Sequence, residues 1–250
     1  MTVFTCNDDL ESMLTCIYDA WYSRLGHSNV RLATEPIEQL NMFDTYIHVE
    51  PNTDKAMAVA DAINRRISPA FYSEVAFCLG AYEKDALDTV YRVLILGFKL
   101  GVGVLDAYGY DEVARFKAIR IRYGREASSF LEFVRFNLVD GVYVAHFEPK
   151  SRVLLPVAEH FSDRMPSEHW MLIDDVHKEA AVHPCNEQYY VRILSEEEFA
   201  RLKATEDYDD GFTALWKIYF TEIAIKEREN PKCQLTHFAK WKRKHVTEFA

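Results

Sequence analysis

Hydrophobic residues recur every three or four positions in the first half of the chain, which is the period of an amphipathic helix. Segment 111–134 shows this pattern most clearly and predicts one long helix, or two helices that break near Gly124. Its apolar stripe, expected to face the core, is Phe116, Ile119, Tyr123, Ala127 and Phe130. Other helices are expected after residues that can cap a first turn. These caps are Asp8 or Asp9 for a helix to about residue 25, Thr53 for one to about residue 66, and Ser68 before Pro69. A further helix is expected from Asp85 to Leu100, where Gly101 ends it.

The hydrophobic period changes to two after residue 134, which indicates strands. Segments 135–139 and 142–148 flank Asp140-Gly141, a dipeptide typical of a hairpin turn. Further antiparallel strands are expected to extend the sheet at 170–174, 179–183 and 188–193. A helical segment at 153–161 is expected to interrupt the sheet before the first of them. Two short strands are expected near the N-terminus, at 3–6 and 45–49, with 26–43 irregular.

The order of these elements predicts an α+β fold. An antiparallel sheet over about 135–193 is expected to pack with helices from the N- and C-terminal parts of the chain. Ser195 and Glu198 predict a capping box at the start of a helix, and 208–229 is expected to form the last long helix. We expect one domain over 1–250; the alternative is a division near residue 134, between a helical part and a part with the sheet and C-terminal helices.

Composition excludes several classes of protein. The 250 residues are 49% hydrophobic, which is ample for a packed interior. No apolar run approaches the roughly 20 residues that a membrane helix needs, and the first residues lack the pattern of a signal peptide. The five cysteines are widely scattered, so we expect reduced thiols and a cytoplasmic location.

Positive charge is concentrated in two segments of a chain whose net charge is −10. Residues 115–125 and residues 231–246 each contain basic side chains and no acidic one. Arginine and lysine bind phosphate oxygens, so the basic side chains in and near these segments are the candidate nucleic-acid contacts. They are Arg115, Arg122, Arg125, Arg135, Arg228, Lys240, Lys242 and Arg243. The alternatives are a solvated helix face, an ion pair of Arg125 or Arg135 with Glu126, and, for Arg228, interaction with a helix dipole.

Strong catalytic motifs are absent from the sequence. It has no glycine-rich phosphate loop, no Cys-x-x-Cys pair and no three-cysteine cluster for an iron–sulfur centre. His177, His183 and Cys185 could converge with Asp174, but isolated residues of these types in strands are usually structural. We therefore expect no metal and no cofactor. Asp174 and Asp175 form a carboxylate pair, although neighbours on a strand point to opposite faces. No catalytic residue is assigned.

Five segments of the chain, in order and spacing together, resemble a family of DNA-metabolism proteins. They are Lys55-Ala56 with Val59, Ile63 and Ile67-Ser68; 96–101; Gly124-Arg125-Glu126-Ala127 leading to 133–136; Glu148-Pro149 with His160-Phe161, Arg164, Pro166, Trp170 and Asp174; and Leu215-Trp216 through Asn230-Pro231 with Gln234, Lys244-His245 and Glu248-Phe249. Members of that family are usually encoded beside a radical S-adenosylmethionine protein, and a related domain is fused to a uracil-DNA glycosylase-like domain.

The chain departs from the family pattern at three places. Ser128 stands where the family tends to have histidine, Glu132 where it tends to have glycine, and Phe238-Ala239 where it tends to have Met-Pro. If that histidine is catalytic, Ser128 removes the activity here. The resemblance therefore implies a process and a partner more than a reaction.

Three hypotheses on function follow. The preferred one is an accessory protein that binds or presents DNA to a radical S-adenosylmethionine partner. The second is a DNA-processing, hydrolytic enzyme that uses Asp, Glu and His side chains on the sheet. The third is a non-catalytic protein-interaction module. A binding protein should present basic side chains and no buried acid–base pair, whereas an enzyme should bring acidic and histidine side chains together.

Overall fold

The computed structural model describes residues 1–37, 39–205, 211–228 and 230–247. The chain divides into two compact units, Met1–Gly124 and Arg125–Ala250. Each unit has its own sheet, and helices accompany both sheets, so the fold is mixed α/β.

A small parallel sheet forms the strand component of the first unit. Its strands are β1 (Thr2–Cys6), β2 (Val30–Thr34) and β3 (Thr45–His48). β1 lies in the centre and pairs in parallel with both neighbours. The sequence predicts β1 and β3, but the expectation of irregular structure over 26–43 is wrong because β2 lies there. Val30 and Leu32 are buried while Arg31 between them is exposed. This alternation is too short to identify the segment as a strand from the sequence.

The helices expected in the first half of the chain are confirmed. They are α1 (Leu10–Tyr22), α2 (Thr53–Arg66), α3 (Pro69–Leu79), α4 (Ala86–Leu100) and α5 (Asp111–Phe133). Asp9 and Ser68 cap α1 and α3 by accepting hydrogen bonds from backbone N–H groups. The cap of α2 is Asn52 rather than Thr53, because the Oδ1 atom of Asn52 accepts from the N–H of Lys55 at 3.0 Å.

Helix α5 is continuous through Gly124, and the boundary between the two units falls within it. Its predicted apolar stripe is confirmed, since all five members are buried. Phe116 stacks on Phe71 in the first unit, and Phe130 packs edge-to-face on Phe147 in the second.

The second unit contains a five-stranded sheet in the order β4-β5-β6-β7-β8. Its strands are β4 (Asn137–Val139), β5 (Val142–Phe147), β6 (Trp170–Asp174), β7 (Glu179–His183) and β8 (Tyr190–Ile193). The β4–β5 hairpin is confirmed, with Asp140 and Gly141 both at positive φ in its turn.

The expectation of a purely antiparallel sheet is wrong, because β5 and β6 are parallel. The connection between them contains α6 (Leu154–Arg164), so the chain crosses over and enters β6 from the same end as β5. This crossover places the carboxyl ends of β5 and β6 side by side. The remaining pairs, β6–β7 and β7–β8, are antiparallel as expected.

Helix α7 (Glu196–Lys203) begins with the predicted capping box of Ser195 and Glu198. Its residues Phe199 and Leu202 pack against one face of the sheet. The buried core of that face is formed by Val144, Ile173, Ala180 and Leu194.

The C-terminal part contains α8 (Phe212–Ile223) and α9 (Pro231–His237). A single helix over 208–229 is therefore wrong: Ala224 adopts an extended conformation that ends α8, and residues 208–210 and 229 lie outside the described residues. The large apolar side chains of α8 are exposed. No helix in the described ranges is both long and apolar enough to cross a membrane.

Candidate active site at the ends of two parallel strands

Polar side chains meet in the second unit where β5 and β6 end. His146 is the penultimate residue of β5, Glu148 directly follows that strand, and Asp175 directly follows β6. The N–H of Asp175 donates to the carbonyl of Phe147 at 3.0 Å, which continues the sheet pairing to this edge. The carboxyl ends of parallel strands are a common location for ligand and active sites.

His146 and Asp175 form a buried pair whose side chains are only 4% and 3% exposed. The Nδ1 atom of His146 lies 2.9 Å from Oδ1 of Asp175, and its Nε2 atom lies 3.1 Å from Oγ1 of Thr205. The Thr205 hydroxyl donates to the carbonyl of Leu202 at 2.7 Å, so its oxygen is left to accept from His146. Both ring nitrogens of His146 are therefore engaged in hydrogen bonds, which fixes the orientation of the ring.

Lys203, the last residue of α7, contacts the other oxygen of the same carboxylate. Its Nζ atom lies 2.6 Å from Oδ2 of Asp175. Burial alone would raise the pKa of Asp175, but the hydrogen bonds and charges of His146 and Lys203 outweigh burial and lower it. Asp175 is therefore held as a carboxylate between His146 and Lys203.

The C-terminal segment adds His245 to this group. The Nε2 atom of His245 lies 3.6 Å from Oδ2 of Asp175 and 3.6 Å from Oε1 of Glu148. Lys244 forms an ion pair with that same Glu148 oxygen. We call His146, Glu148, Asp175, Lys203 and His245 the strand-end cluster.

The strand-end cluster combines groups that can move protons with groups that can hold a cation. Glu148 is 30% exposed at its side chain, so the cluster is reachable from solvent on the Glu148 side. Glu148, Asp175 and His245 each offer one ligand atom, and these three atoms lie within 4.8 Å of one another. The arrangement of carboxylates, imidazoles and a lysine at one edge of a sheet is what acid–base or metal-assisted hydrolysis requires.

The sequence-predicted basic residues of the first unit differ in their surroundings. Arg115 makes two hydrogen bonds to the carboxylate of Asp85, at 2.7 and 2.6 Å, and is thus engaged in a structural ion pair. Arg122 is half exposed and lies 3.4 Å from the buried Glu83. Neither belongs to the strand-end cluster.

Five of the six candidate basic residues of the second unit fall into two groups. Lys242 and Arg243 make internal contacts, with Ser129 at 2.6 Å and with the carbonyl of Phe238 at 2.8 Å. Burial lowers the pKa of Lys242. Three others are exposed and remain available to solvent: Arg125, Arg228 and Lys240.

Glu126 does not form the expected ion pair with Arg135. Its buried carboxylate accepts hydrogen bonds from the N–H groups of Lys150 and Ser151, at 2.6 and 3.2 Å, and from the Ser151 hydroxyl at 2.7 Å. Arg135 donates to backbone carbonyls and lies over the ring of Trp216. Glu126 therefore fixes the loop between β5 and α6.

The metal-ligand set considered from the sequence does not converge. Asp174 accepts from the backbone and ring of His177, whose Nδ1 atom lies 2.6 Å away, and so closes the β6–β7 turn. His183 stacks on Trp170, and its Nδ1 atom contacts the carbonyl of Glu168. The Cys185 thiol donates to the carbonyl of Ser167. Asp174 and Asp175 have separate partners, as expected for neighbours on opposite faces.

Comparison with known protein families identifies the family of this chain. Residues 84–248 match the family described as a domain of unknown function, DUF4130. The chain belongs to this family. The match covers α4, α5 and the whole strand-end cluster. No curated protein matches the chain.

Sequence reasoning on this DUF4130 chain missed four residues of the cluster as site residues: His146, Glu148, Lys203 and His245. A signal was present for His146, because it interrupts an otherwise apolar strand and is buried there. Glu148 and Lys244-His245 lie in two of the segments that resemble DNA-metabolism proteins. Their convergence depends on the parallel pairing of β5 and β6, which the sequence did not indicate.

Proposed function

We propose that the chain is a DNA-processing enzyme that catalyses hydrolysis at the strand-end cluster. The observation that carries this proposal is the buried His146–Asp175 pair, with His245 and Glu148 beside it. Burying titratable groups is costly, so their collection at one accessible edge favours a chemical role over a structural one. The resemblance to DNA-metabolism proteins supports DNA as the substrate.

The cluster offers distinct roles for a hydrolytic reaction. Glu148, the most exposed acid, and His245 are placed to activate an attacking water molecule, either by accepting its proton or by holding a cation that polarises it. Lys203 carries positive charge next to Asp175 and can stabilise negative charge that develops on a phosphate oxygen. His146 and Asp175 hold each other, and Asp175 in turn faces His245.

A second candidate is the accessory protein that presents DNA to a radical S-adenosylmethionine partner. It is favoured by the exposed Arg125, Arg228 and Lys240 and by the exposed apolar side chains of α8. The first could contact phosphates and the second a protein partner. A cytoplasmic location belongs to both proposals and is supported by five cysteines that are all free.

The test is an assay of the purified chain on end-labelled DNA: single-stranded, duplex, uracil-containing and abasic. Glu148→Gln and His245→Gln should lower the rate of product formation at least about 100-fold, which is typical of losing a group that acts in the reaction. Asp163→Asn, an exposed change on α6, is the matched control and should retain the wild-type rate. No product from any substrate with the wild-type chain would favour the accessory protein.

A further inference from the structure

We propose that Glu148, Asp175 and His245 bind one divalent transition-metal ion of the Zn²⁺ or Mn²⁺ class. This inference deepens the proposed function, since the ion would act at the same site. It also revises the expectation from the sequence that the chain has no metal.

The three ligand atoms are close to the spacing that an ion requires. A metal with ligands at about 2.1 Å in tetrahedral geometry separates them by roughly 3.4 Å. The Nε2 atom of His245 lies 3.6 Å from Oε1 of Glu148 and 3.6 Å from Oδ2 of Asp175. All three ligand atoms lie within 4.8 Å of one another, so side-chain rotations that shorten these separations would close the site around an ion.

The remaining atoms of Asp175 are arranged to support a ligand. Oδ1 is held by Nδ1 of His146 at 2.9 Å, which leaves Oδ2 directed toward His245. Hydrogen bonds of this kind orient metal-ligating carboxylates. His146 is thus a positioning residue, whereas Asp175 is a ligand.

Burial of the three ligands is uneven. Asp175 is 3% exposed and His245 is 10% exposed, while Glu148 is 30% exposed. Three protein ligands with one accessible side match a catalytic site, in which water or substrate completes the coordination. One imidazole with two carboxylates favours Zn²⁺ or Mn²⁺ over Mg²⁺, which prefers oxygen ligands alone.

Two lysines occupy the oxygens that the ion would use. Lys203 contacts Oδ2 of Asp175, and Lys244 contacts Oε1 of Glu148. A bound ion must displace or share these contacts, so the lysines compete with it. Removing either positive charge should strengthen metal binding, whereas a merely structural ion-pair cluster would show no metal binding at all.

Calorimetric titration of the full chain, after dialysis against a chelator, tests the site with Zn²⁺, Mn²⁺ and Mg²⁺. We expect one Zn²⁺ or Mn²⁺ per chain and weaker binding of Mg²⁺. Glu148→Gln and His245→Gln should weaken binding at least about 100-fold, and His146→Asn about 10-fold, in line with loss of a ligand and of its support. His160→Gln and Asp163→Asn on α6 are the matched controls and should bind as wild type.

Lys244→Met tests the competition between lysine and metal ion most directly. Lys244 is 52% exposed, so its replacement should leave the fold intact. It should tighten metal binding several-fold, and Lys203→Met should act in the same direction. Circular dichroism of each variant separates loss of a ligand from unfolding. Absence of metal binding by the wild type, or unchanged binding in both folded Gln variants, would overturn the site.

Failure of the metal site and failure of the proposed function are distinguishable. Stoichiometric metal binding without any DNA product would retain the site and remove the hydrolytic function. DNA hydrolysis that persists in excess chelator, in a chain that binds no metal in the titration, would retain the function and remove the metal.

Discussion

The Nζ atom of Lys203 and the Oδ2 atom of Asp175 lie 2.6 Å apart, although Asp175 is nearly inaccessible to solvent. The same carboxylate also binds His146. Asp175 therefore joins the end of α7 to the edge of the sheet. The same residue is expected to contribute to the stability of the fold and to the reaction proposed for the strand-end cluster.

We predict that Asp175→Asn destabilises the chain by about 3 kcal/mol. The substitution leaves the positive charge of Lys203 without its counter-ion at a buried site next to His146, and breaking one side of a buried pair is costly. The control is Asp163→Asn, at an exposed position, which should change the free energy of unfolding by less than about 0.5 kcal/mol. Urea denaturation measures both, and equal stabilities would show that Asp175 does not hold these elements together.

The free energy of unfolding should also depend on pH through the carboxylate of Asp175. The folded-state pKa of Asp175 is lowered, so its stabilising contribution is present above the unfolded value of about 3.9 and is lost as the pH falls through the folded value. The difference in unfolding free energy between wild type and Asp175→Asn should be constant from about pH 5 to 6 and shrink below about pH 4. A difference that grows on acidification contradicts this assignment.

The strand-end cluster also shows where sequence reasoning succeeds and where it stops. Capping residues such as Ser68 and Ser195 act through neighbouring backbone atoms, so their helices could be predicted locally. The parallel pairing of β5 with β6 is a long-range choice that hydrophobic alternation does not encode. An antiparallel pairing would place Glu148 and Asp175 at opposite edges of the sheet, and that assumption concealed the site.

The basic residues illustrate a different limit. Their identity and clustering are visible in the sequence, but their partners are not. Arg115 is engaged by Asp85, which lies thirty positions earlier and directly precedes α4, whereas Arg125 on the same helix as Arg115 is exposed. Charge alone could not separate a structural arginine from one available to a ligand.

Glu126 provides a stability prediction independent of the cluster. It is 5% exposed and accepts three hydrogen bonds from Lys150 and Ser151. Glu126→Ala leaves buried donors without an acceptor and should cost about 2–4 kcal/mol. Glu126→Gln should cost less, about 1–2 kcal/mol, because one amide oxygen remains to accept.

Thermal or urea unfolding measures the Glu126 series, with Glu132→Ala as the control on the same helix, where the side chain is exposed. We expect wild type and Glu132→Ala to be equally stable, Glu126→Gln to be less stable, and Glu126→Ala to be the least stable. If Glu126→Ala is as stable as the control, the loop between β5 and α6 is held by other contacts.

The last prediction concerns DNA binding by the second unit. Arg125 and Lys240 are exposed, whereas Lys242 and Arg243 make internal contacts, so the first two are the better candidates for phosphate contacts. Arg125→Glu with Lys240→Glu should weaken binding and reduce the slope of log affinity against log salt by about 1.4–1.8, since each phosphate contact contributes about 0.7–0.9. Fluorescence anisotropy across a salt series measures both quantities.

The matched control is Arg164→Glu with Arg201→Glu, which changes the net charge equally at two other exposed positions of the same unit. Equal losses of affinity in the two double variants would mean that net charge, and not a local contact, governs binding.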